Sequence, residues 1–490
     1  MPISFDNIPD ALRTPGVYIE FNAELAAQSE IQQRILFIGQ RLATGSVAAA
    51  TPVRVSRISD ARAYFGAGSM LSEMLRHALP LVQGQEVWAI ALDDDPADTA
   101  ATGTIEFLGA PTEPGTVAIS IAGRRVEFAV TAGMTAAAVA DAFRAALLGG
   151  EFATDPAAMI GAANGVNPAI TDLTARMSGE IGEGIELRVH APLPAGLTAT
   201  TTGPNFGAGA VDVGSAIAAM GDEWWNWIVC PYTDAVNLPL MRQELDRRWG
   251  PLVQQGARMF AALRGEYADT TSALDVPPNS AHISILATGL APQPPWVWAG
   301  VNAAVAARSL SIDPARPLQR LELPGLLPAD VAARFIQAER NTLLYSGLAT
   351  HTVGADGRVR IERQITTYTA DASGAADSAY LDINTPETLE RIRYAQRTLF
   401  AQKYPRHKLA ADDARVGAGQ AVMQPKIARA ELLALYRDFE EGGWTQDYEG
   451  YKESLIVEID ATDPSRLNVL DSPKLVGQYR VHAMKTQFRR

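Results

Sequence analysis

Cysteine is nearly absent: Cys230 alone stands in the 490 residues. One thiol cannot close an intrachain disulfide framework, and it suits a reducing compartment. Long apolar runs are missing too. No stretch of about 18 apolar residues is present to cross a bilayer, so no membrane insertion is expected. The opening MPISFDNIPDALRTPG lacks a charged-then-apolar leader and already carries Asp6 and Asp10, which fits folding in a bacterial cytoplasm. Positive charge is in deficit, with 42 Lys and Arg against 55 Asp and Glu, a net charge of −13. A nucleic-acid partner wants a basic face, and none is expected here. The deficit is uneven. Residues 380–490 hold 17 basic and 16 acidic side chains, leaving 25 against 39 in the first 379. Charge therefore distinguishes the two regions, as it would if they met different partners.

Signatures of chemistry are also lacking. No G-x-S-x-G occurs, and the six histidines (His77, His190, His282, His351, His407, His482) are scattered singly, which leaves no H-E-x-x-H. A Ser/His/Asp triad assembled from distant residues is the one catalytic arrangement left open. Gly66/Gly68, Gly207/Gly209 and Gly417/Gly419 lack both the strand–GxGxxG–helix setting and a following Lys-Ser/Thr, so they are not phosphate loops. Cys230 sits in an apolar strand, the setting of a buried inert thiol. Asp93, Asp94 and Asp95 suit a solvated turn after a strand better than a cation site. Trp224, Trp225 and Trp227, at a helix-to-strand junction, suit packing better than a sugar platform. No catalytic, metal or cofactor-binding residue is expected.

A hydrophobic content of 47% and this length allow roughly three domains of about 150 residues. RILFIG, a helical stripe (Met70, Leu71, Met74, Leu75, Ala78, Leu79) and EVWAIAL read as strand, helix, strand. Short strands then dominate (TIEFLG, TVAISIAG, RRVEFAV), with one alanine-rich helix at 135–148 and a hairpin around Gly123. This reads as a β-rich insertion in an α/β core. The core pattern resumes with a helix around 213–224, a strand at 226–230, a helix at 237–249, strands at 257–263 and 281–286, and helices at 296–309 and 331–344. Alternating strands and helices imply a mostly parallel sheet with helices on both faces. Farther on, Ala428, Leu432, Leu435 and Phe439 form another helical stripe, and residues 455–459 look like a strand.

The chain is organised around residues 358–400. GRVRIERQITTYT is extended, with Val359, Ile361 and Ile365 recurring among polar residues. In SAYLDINTPETLERIRYAQRTLF, Thr385 is expected as N-cap, Pro386 at the first helical position and Glu387 in the first turn. Leu389, Ile392, Ala395 and Leu399 share a face. Arg391, Arg393 and Arg397 lie largely off it, either as a solvated face supported by a Glu387–Arg391 pair or as a site for an acidic partner. Two terminal stretches have no local strand partner. Residues 17–21 pair either with this chain's own sheet edge or with a neighbouring molecule's sheet. Residues 478–488 alternate loosely.

IERQITTYTADASGAADSAYLDINTPETLERIRY and YPRHKLA closely resemble the tail sheath proteins of Mu-like contractile-tail bacteriophages. The resemblance continues through QPKIARAELLALYRDFEEGGW, DPSRLNVL and residues 478–488, and TPGVYIEFN looks like that family's amino-terminal arm. Residues 99–203 carry no matching motif. The resemblance implies a subtilisin-like α/β core, mostly parallel with helices on both faces, built from 31–98 and 206–356. It further implies an outward-facing β-rich insertion (99–205), an α+β carboxy-terminal domain facing the tube (357–472), and arms at 1–30 and 473–490. Carried over by position, Pro15, Gly16, Val17, Tyr18, Ile19, Glu20 and Phe21 form one linking strand. Gln478, Tyr479, Arg480, Val481, His482, Ala483, Met484 and Phe488 form the other. Arg391, Arg393, Arg397, Lys403 and Arg406 become tube contacts. The implied protein is a virion component assembled in the host cytoplasm, with no cofactor. Its implied partners are its own copies in six-fold rings of a helix, the tail tube protein, the baseplate and the tail terminator. The sheath of a phage-derived injection device and a hydrolase on the α/β core are the alternative expectations.

Overall fold

The computed structural model describes residues 33–489 except 83, 164–166, 273–277 and 418. The expected strand Pro15, Gly16, Val17, Tyr18, Ile19, Glu20 and Phe21 lies outside the described residues.

Five strands run parallel. Arg34–Gln40 pairs with Glu86–Leu92 on one side and Trp227–Val229 on the other, followed outward by Arg258–Arg264 and Ile283–Gly289. Val53–Arg54 adds antiparallel at the Glu86–Leu92 edge. Ile35 through Gln40 and the whole of Ile283–Gly289 are buried. Apolar runs without alternation are what a parallel sheet covered by other elements requires. Because Arg34–Gln40 is flanked by later strands on both sides, the connections leave it in two directions, a doubly wound order. Met70–Ala78, capped by Ser69 Oγ accepting from Ser72 N at 3.1 Å, packs on this strand and on the 18-residue helix Pro295–Ile312. Gly39 permits that approach, since a Cβ there would meet Met74 Cε at 2.7 Å. Trp296 and Trp298 are fully buried in the second helix. The expected helix at 331–344 is shorter: Val331–Ala333 is a single 3-10 turn and the α-helix is Gln337–Tyr345. The break falls where Arg334 turns extended and Glu339 caps Ile336 N at 2.8 Å.

Between the third and fourth core segments the chain is antiparallel. Leu197–Asn205, Ala100–Gly109, Ile170–Ser178 and Met159–Ala163 make one sheet, and Arg124–Val130, Gly115–Ile121 and Leu187–Val189 make another. Ala122 and Gly123, both at positive φ, form the hairpin turn. Ala136–Leu148 packs on these strands, and Phe107, Phe128 and Phe143 meet within 6.2 Å between centroids. A bridge between Thr99 and Ala208 pins the two ends of this region together.

Thr350–Val353 continues the core through a parallel bridge of Ala349 to Leu286, and Val359–Arg363 returns antiparallel to it. The helix that follows is Asn384–Lys403, with Ile383 rather than Thr385 at the cap position. Asn384 Nδ2 is drawn to Pro314 O and Arg316 O, both at 2.8 Å, which places residue 384 inside the first turn. Its buried positions are Asn384, Pro386, Thr388, Glu390 and Ile392, whereas Leu389, Ala395 and Leu399 are half-buried. A polar face docks because the core opposite offers carbonyls and an indole. Pro425–Glu441 and Tyr448–Ser454 close a small cluster of Leu432, Tyr436, Tyr451 and Leu455, with Tyr436 and Tyr451 stacked at 3.7 Å. The hairpin Ile456–Ile459/Leu467–Leu470 completes this region.

Candidate inter-subunit surface

The places where a doubly wound sheet normally binds ligands are filled by the chain itself. Such ligands sit beyond the carboxyl ends of the strands where the strand order reverses. Here Gln40, 1% exposed, donates to Asp94 Oδ1 at 2.7 Å and Ser178 O at 2.8 Å, and Tyr232 OH reaches Gln40 Oε1 at 3.4 Å. Asp94 Oδ2 accepts from Ser178 N at 3.0 Å, so the antiparallel region seals this end. The neighbouring carboxylates are also spent: Asp93 pairs with Arg41 at 2.6 Å and Asp95 accepts from Ala97 N at 2.8 Å. Among the described residues no group of three or more His, Cys, Asp and Glu side chains is placed to hold a metal.

Cys230 is fully buried, and burial pushes its thiol up to about 12. Ser120 and His190 do meet, Oγ to Nε2 at 2.7 Å, but no carboxylate hydrogen-bonds that ring among the described residues. Burial and two nearby arginines lower the basicity of His190. His282 faces Arg258 Nη1 at 3.0 Å and packs on Trp249, and burial drives its pKa well below the usual value. Trp225 and Trp227 are core residues, while Trp224 meets Tyr394 of the carboxy-terminal helix.

The helix arginines turn onto the core. Arg391 Nη2 donates to Ser311 O at 2.8 Å, Arg393 Nη1 to Trp249 O at 2.7 Å and Arg397 Nη1 to Gln254 O at 3.1 Å. Arg393 also pairs with Glu390. Arg397 is nonetheless exposed, lying 5.6 Å from the Trp224 and Tyr394 ring centroids. Lys403 pairs with Glu431 at 2.7 Å at the surface, and Arg406 is exposed.

The carboxy-terminal stretch is anchored as far as Arg480 and wholly exposed from Val481 on. Leu475 bridges Thr445, and Val476 N donates to Trp444 O at 3.0 Å. Gln478 Nε2 then reaches Ala315 O at 3.5 Å, and Arg480 pairs with Asp382 at 2.9 Å. From Val481 to Arg489 every residue is exposed and no strand forms. Tyr479, Val481, Met484 and Phe488 are 71, 81, 77 and 82% exposed. Exposed apolar side chains at this density are unusual on a monomer and mark a contact surface. The hairpin is open as well: no third strand pairs with it among the described residues, and Ile456, Val469 and Leu470 are 50, 42 and 59% exposed. The sequence pattern singles out residues 478–488 and a strand at 455–459, but not the pairing of Ile456–Ile459 with Leu467–Leu470, because an open edge is a property of pairing.

A large core and, among the described residues, an exposed apolar carboxy-terminal stretch are what a subunit that contacts other molecules presents. Relatives bear on this directly. The family model described as phage tail sheath protein central domain matches residues 207–367, and that of the phage tail sheath C-terminal domain matches residues 375–489. The chain is 42% identical over 494 residues to the Mu-like prophage FluMu tail sheath protein of Haemophilus influenzae, covering 100% of both. Solved structures similar to it include a sheath tail protein of Listeria innocua (13% identity, 91% of this chain and 92% of that one, TM-score 0.49). Another is the anti-feeding prophage helical sheath in its contracted state (12% identity, 97% and 99%, TM-score 0.49). The chain belongs to the phage tail sheath protein family. Its role is structural, as a tail sheath subunit.

Proposed function

We propose that this subunit polymerises helically around a tail tube through strands exchanged between copies, and that shortening of the polymer drives the tube. The observation that carries the reading is twofold: Val481–Arg489 is exposed and forms no strand, and the hairpin Ile456–Ile459/Leu467–Leu470 has no third strand paired to it among the described residues. A two-stranded hairpin is marginal alone and gains from each added strand. Main-chain hydrogen bonds of an added strand contribute about 0.5–1.5 kcal/mol each and depend little on side-chain identity. A handful holds copies together while rigid bodies rotate about the linking strand. Residues 15–21 and 478–488 are the linking strands in this reading, and Ile456–Ile459/Leu467–Leu470 is the acceptor.

Contraction is then a one-way passage between two packings of one subunit, triggered from one end. The baseplate supplies the trigger, the tail terminator closes the other end, and six copies form each ring. The subtilisin-like core made of residues 31–98 and 206–356 serves as the rigid body, and residues 99–205 face outward. Residues 357–472 face the tube. Lys403, Arg406 and Arg397, which are exposed, are the proposed tube contacts within the set that includes Arg391 and Arg393. Assembly in the host cytoplasm precedes incorporation into the virion.

The test is electron microscopy of the purified full chain and of a variant lacking residues 1–22. The full chain is expected to form hollow helical tubes, and the shortened chain to stay folded and monomeric. Undiminished polymerisation of the shortened chain would overturn strand exchange by the amino-terminal arm.

A further inference from the structure

Four arginines converge where the antiparallel region meets the core. Asp155 Oδ2 alone faces Arg62 Nη2 at 3.1 Å, Arg76 Nη1 at 3.5 Å and Arg124 Nη2 at 3.6 Å. Arg124 Nη1 also donates to Asp155 O at 2.8 Å and to Pro156 O at 2.9 Å. Arg176 is the fourth. A Cβ at Gly68 would meet both Arg176 Nε and Pro156 O at 3.1 Å, so this guanidinium lies beside the same turn. Arg176 is half-buried, yet it forms no hydrogen bond or ion pair among the described residues. Arg62 and Arg76 stand on the core helices Ile58–Phe65 and Met70–Ala78, Arg124 and Arg176 on strands of the antiparallel region. The side chains of Arg62 and Arg76 are 37 and 26% exposed, so the cluster reaches solvent through them.

The negative charge present does not balance it. Burial keeps the Glu73 carboxyl protonated up to about 7. His77 is held neutral by burial and by Arg76 and Arg124, and its Nε2 accepts from Arg76 Nη2 at 3.1 Å. The exposed Glu151 adds one carboxylate, acting on Arg124. Four guanidiniums therefore face two ionised carboxylates, and two positive charges stay uncompensated.

We propose that this junction binds a phosphate dianion, either the free ion or the head of a small phosphomonoester. Charge selects the class: a single carboxylate would leave one positive charge over, whereas a dianion cancels both. Guanidiniums present their N–H groups in planar forks that match phosphate oxygens, and such charge-assisted bonds are the strong ones. Bound here, the ligand joins Arg62 of the core to Arg176 of the antiparallel region and stiffens the junction between them. The site lies within one copy of the chain and does not rest on exchange of strands.

The experiment titrates the full chain at pH 7 with inorganic phosphate, and separately with glycerol phosphate, by calorimetry against chloride at matched ionic strength. One saturable phosphate site per chain is expected. Arg176→Gln gives up no internal hydrogen bond, so it should keep its melting temperature in chloride while binding phosphate about tenfold or more weakly. Arg62→Gln, at the exposed rim, should weaken binding in the same direction. Saturating phosphate should raise the melting temperature of the unsubstituted chain above its value in chloride, and raise that of Arg176→Gln less. Glycerol phosphate bound as tightly as phosphate assigns the site to phosphomonoesters, and binding of inorganic phosphate alone assigns it to the free ion. No saturable binding of phosphate beyond chloride, or equal affinity in Arg176→Gln, would overturn the proposal.

Discussion

Arg393 lies over the indole of Trp249, its guanidinium carbon 4.3 Å from the ring centroid, and donates to the Trp249 carbonyl at 2.7 Å. Arg258, itself fully buried, lies 4.9 Å from the same ring and donates to Pro386 O at 2.6 Å. Two cations from different parts of the chain thus clasp one tryptophan, and the carboxy-terminal helix is bolted to the sheet. Arg393→Ala removes a stacked, hydrogen-bonded cation and leaves the buried Glu390 without its partner. It should cost about 2–3 kcal/mol, read as a lower melting temperature of the unassembled chain. An unchanged melting temperature would free Arg393 for the tube.

Glu73 makes stability depend on pH in an unusual direction. Burial lifts its carboxyl from 4.5 to about 7, with Arg76 and Arg124 opposing. The folded state therefore holds the proton more tightly than the unfolded one. This contribution is full below pH 4.5 and fades as pH rises through 7, a loss of about 3 kcal/mol. Glu73→Gln should leave the melting temperature at pH 4.5 nearly unchanged and raise it at pH 7.5. Equal shifts at both pH values would contradict the assignment.

His351 works with the opposite sign. Burial pushes it down to about 4 while Nδ1 bonds Ala287 O at 3.0 Å and the ring packs on Trp298. Its contribution is present above pH 6.5 and is lost as pH falls towards 4. Imidazole resonances followed by NMR should show no protonation of His351 at pH 5.5.

The core was largely legible because its strands are short, apolar and unbroken. Glu86–Leu92 and Asn237–Trp249 lie where their patterns set them. Polar docking was not legible. The stripe Leu389, Ile392, Ala395 and Leu399 suggests one buried face, yet of these only Ile392 is buried, and the helix docks through donors: Asn384 to Pro314 O and Arg316 O, and Arg393 to Trp249 O. Thr385 looked like a cap for a similar reason: only the carbonyls of Pro314 and Arg316, some seventy residues away, draw Asn384 into the helix. Pairings such as Leu197–Asn205 with Ala100–Gly109 join residues far apart in sequence, and no local pattern encodes them.

The exposed end separates assembly from folding. Replacing Val481, Met484 and Phe488 together by Ser touches no packed surface and should change monomer stability by less than about 0.5 kcal/mol. Polymerisation, followed by sedimentation, should fall sharply. Normal tubes from this triple variant would remove the carboxy-terminal stretch from the interface.

The central claim concerns what lies beside Leu467–Leu470. A cryo-electron microscopy map of assembled tubes, at a resolution that traces main chain, reads it directly. The account predicts strands from other copies hydrogen-bonded to this hairpin. A map in which residues 1–22 and 478–488 both fold onto their own molecule, with no strand passing between copies, would contradict it.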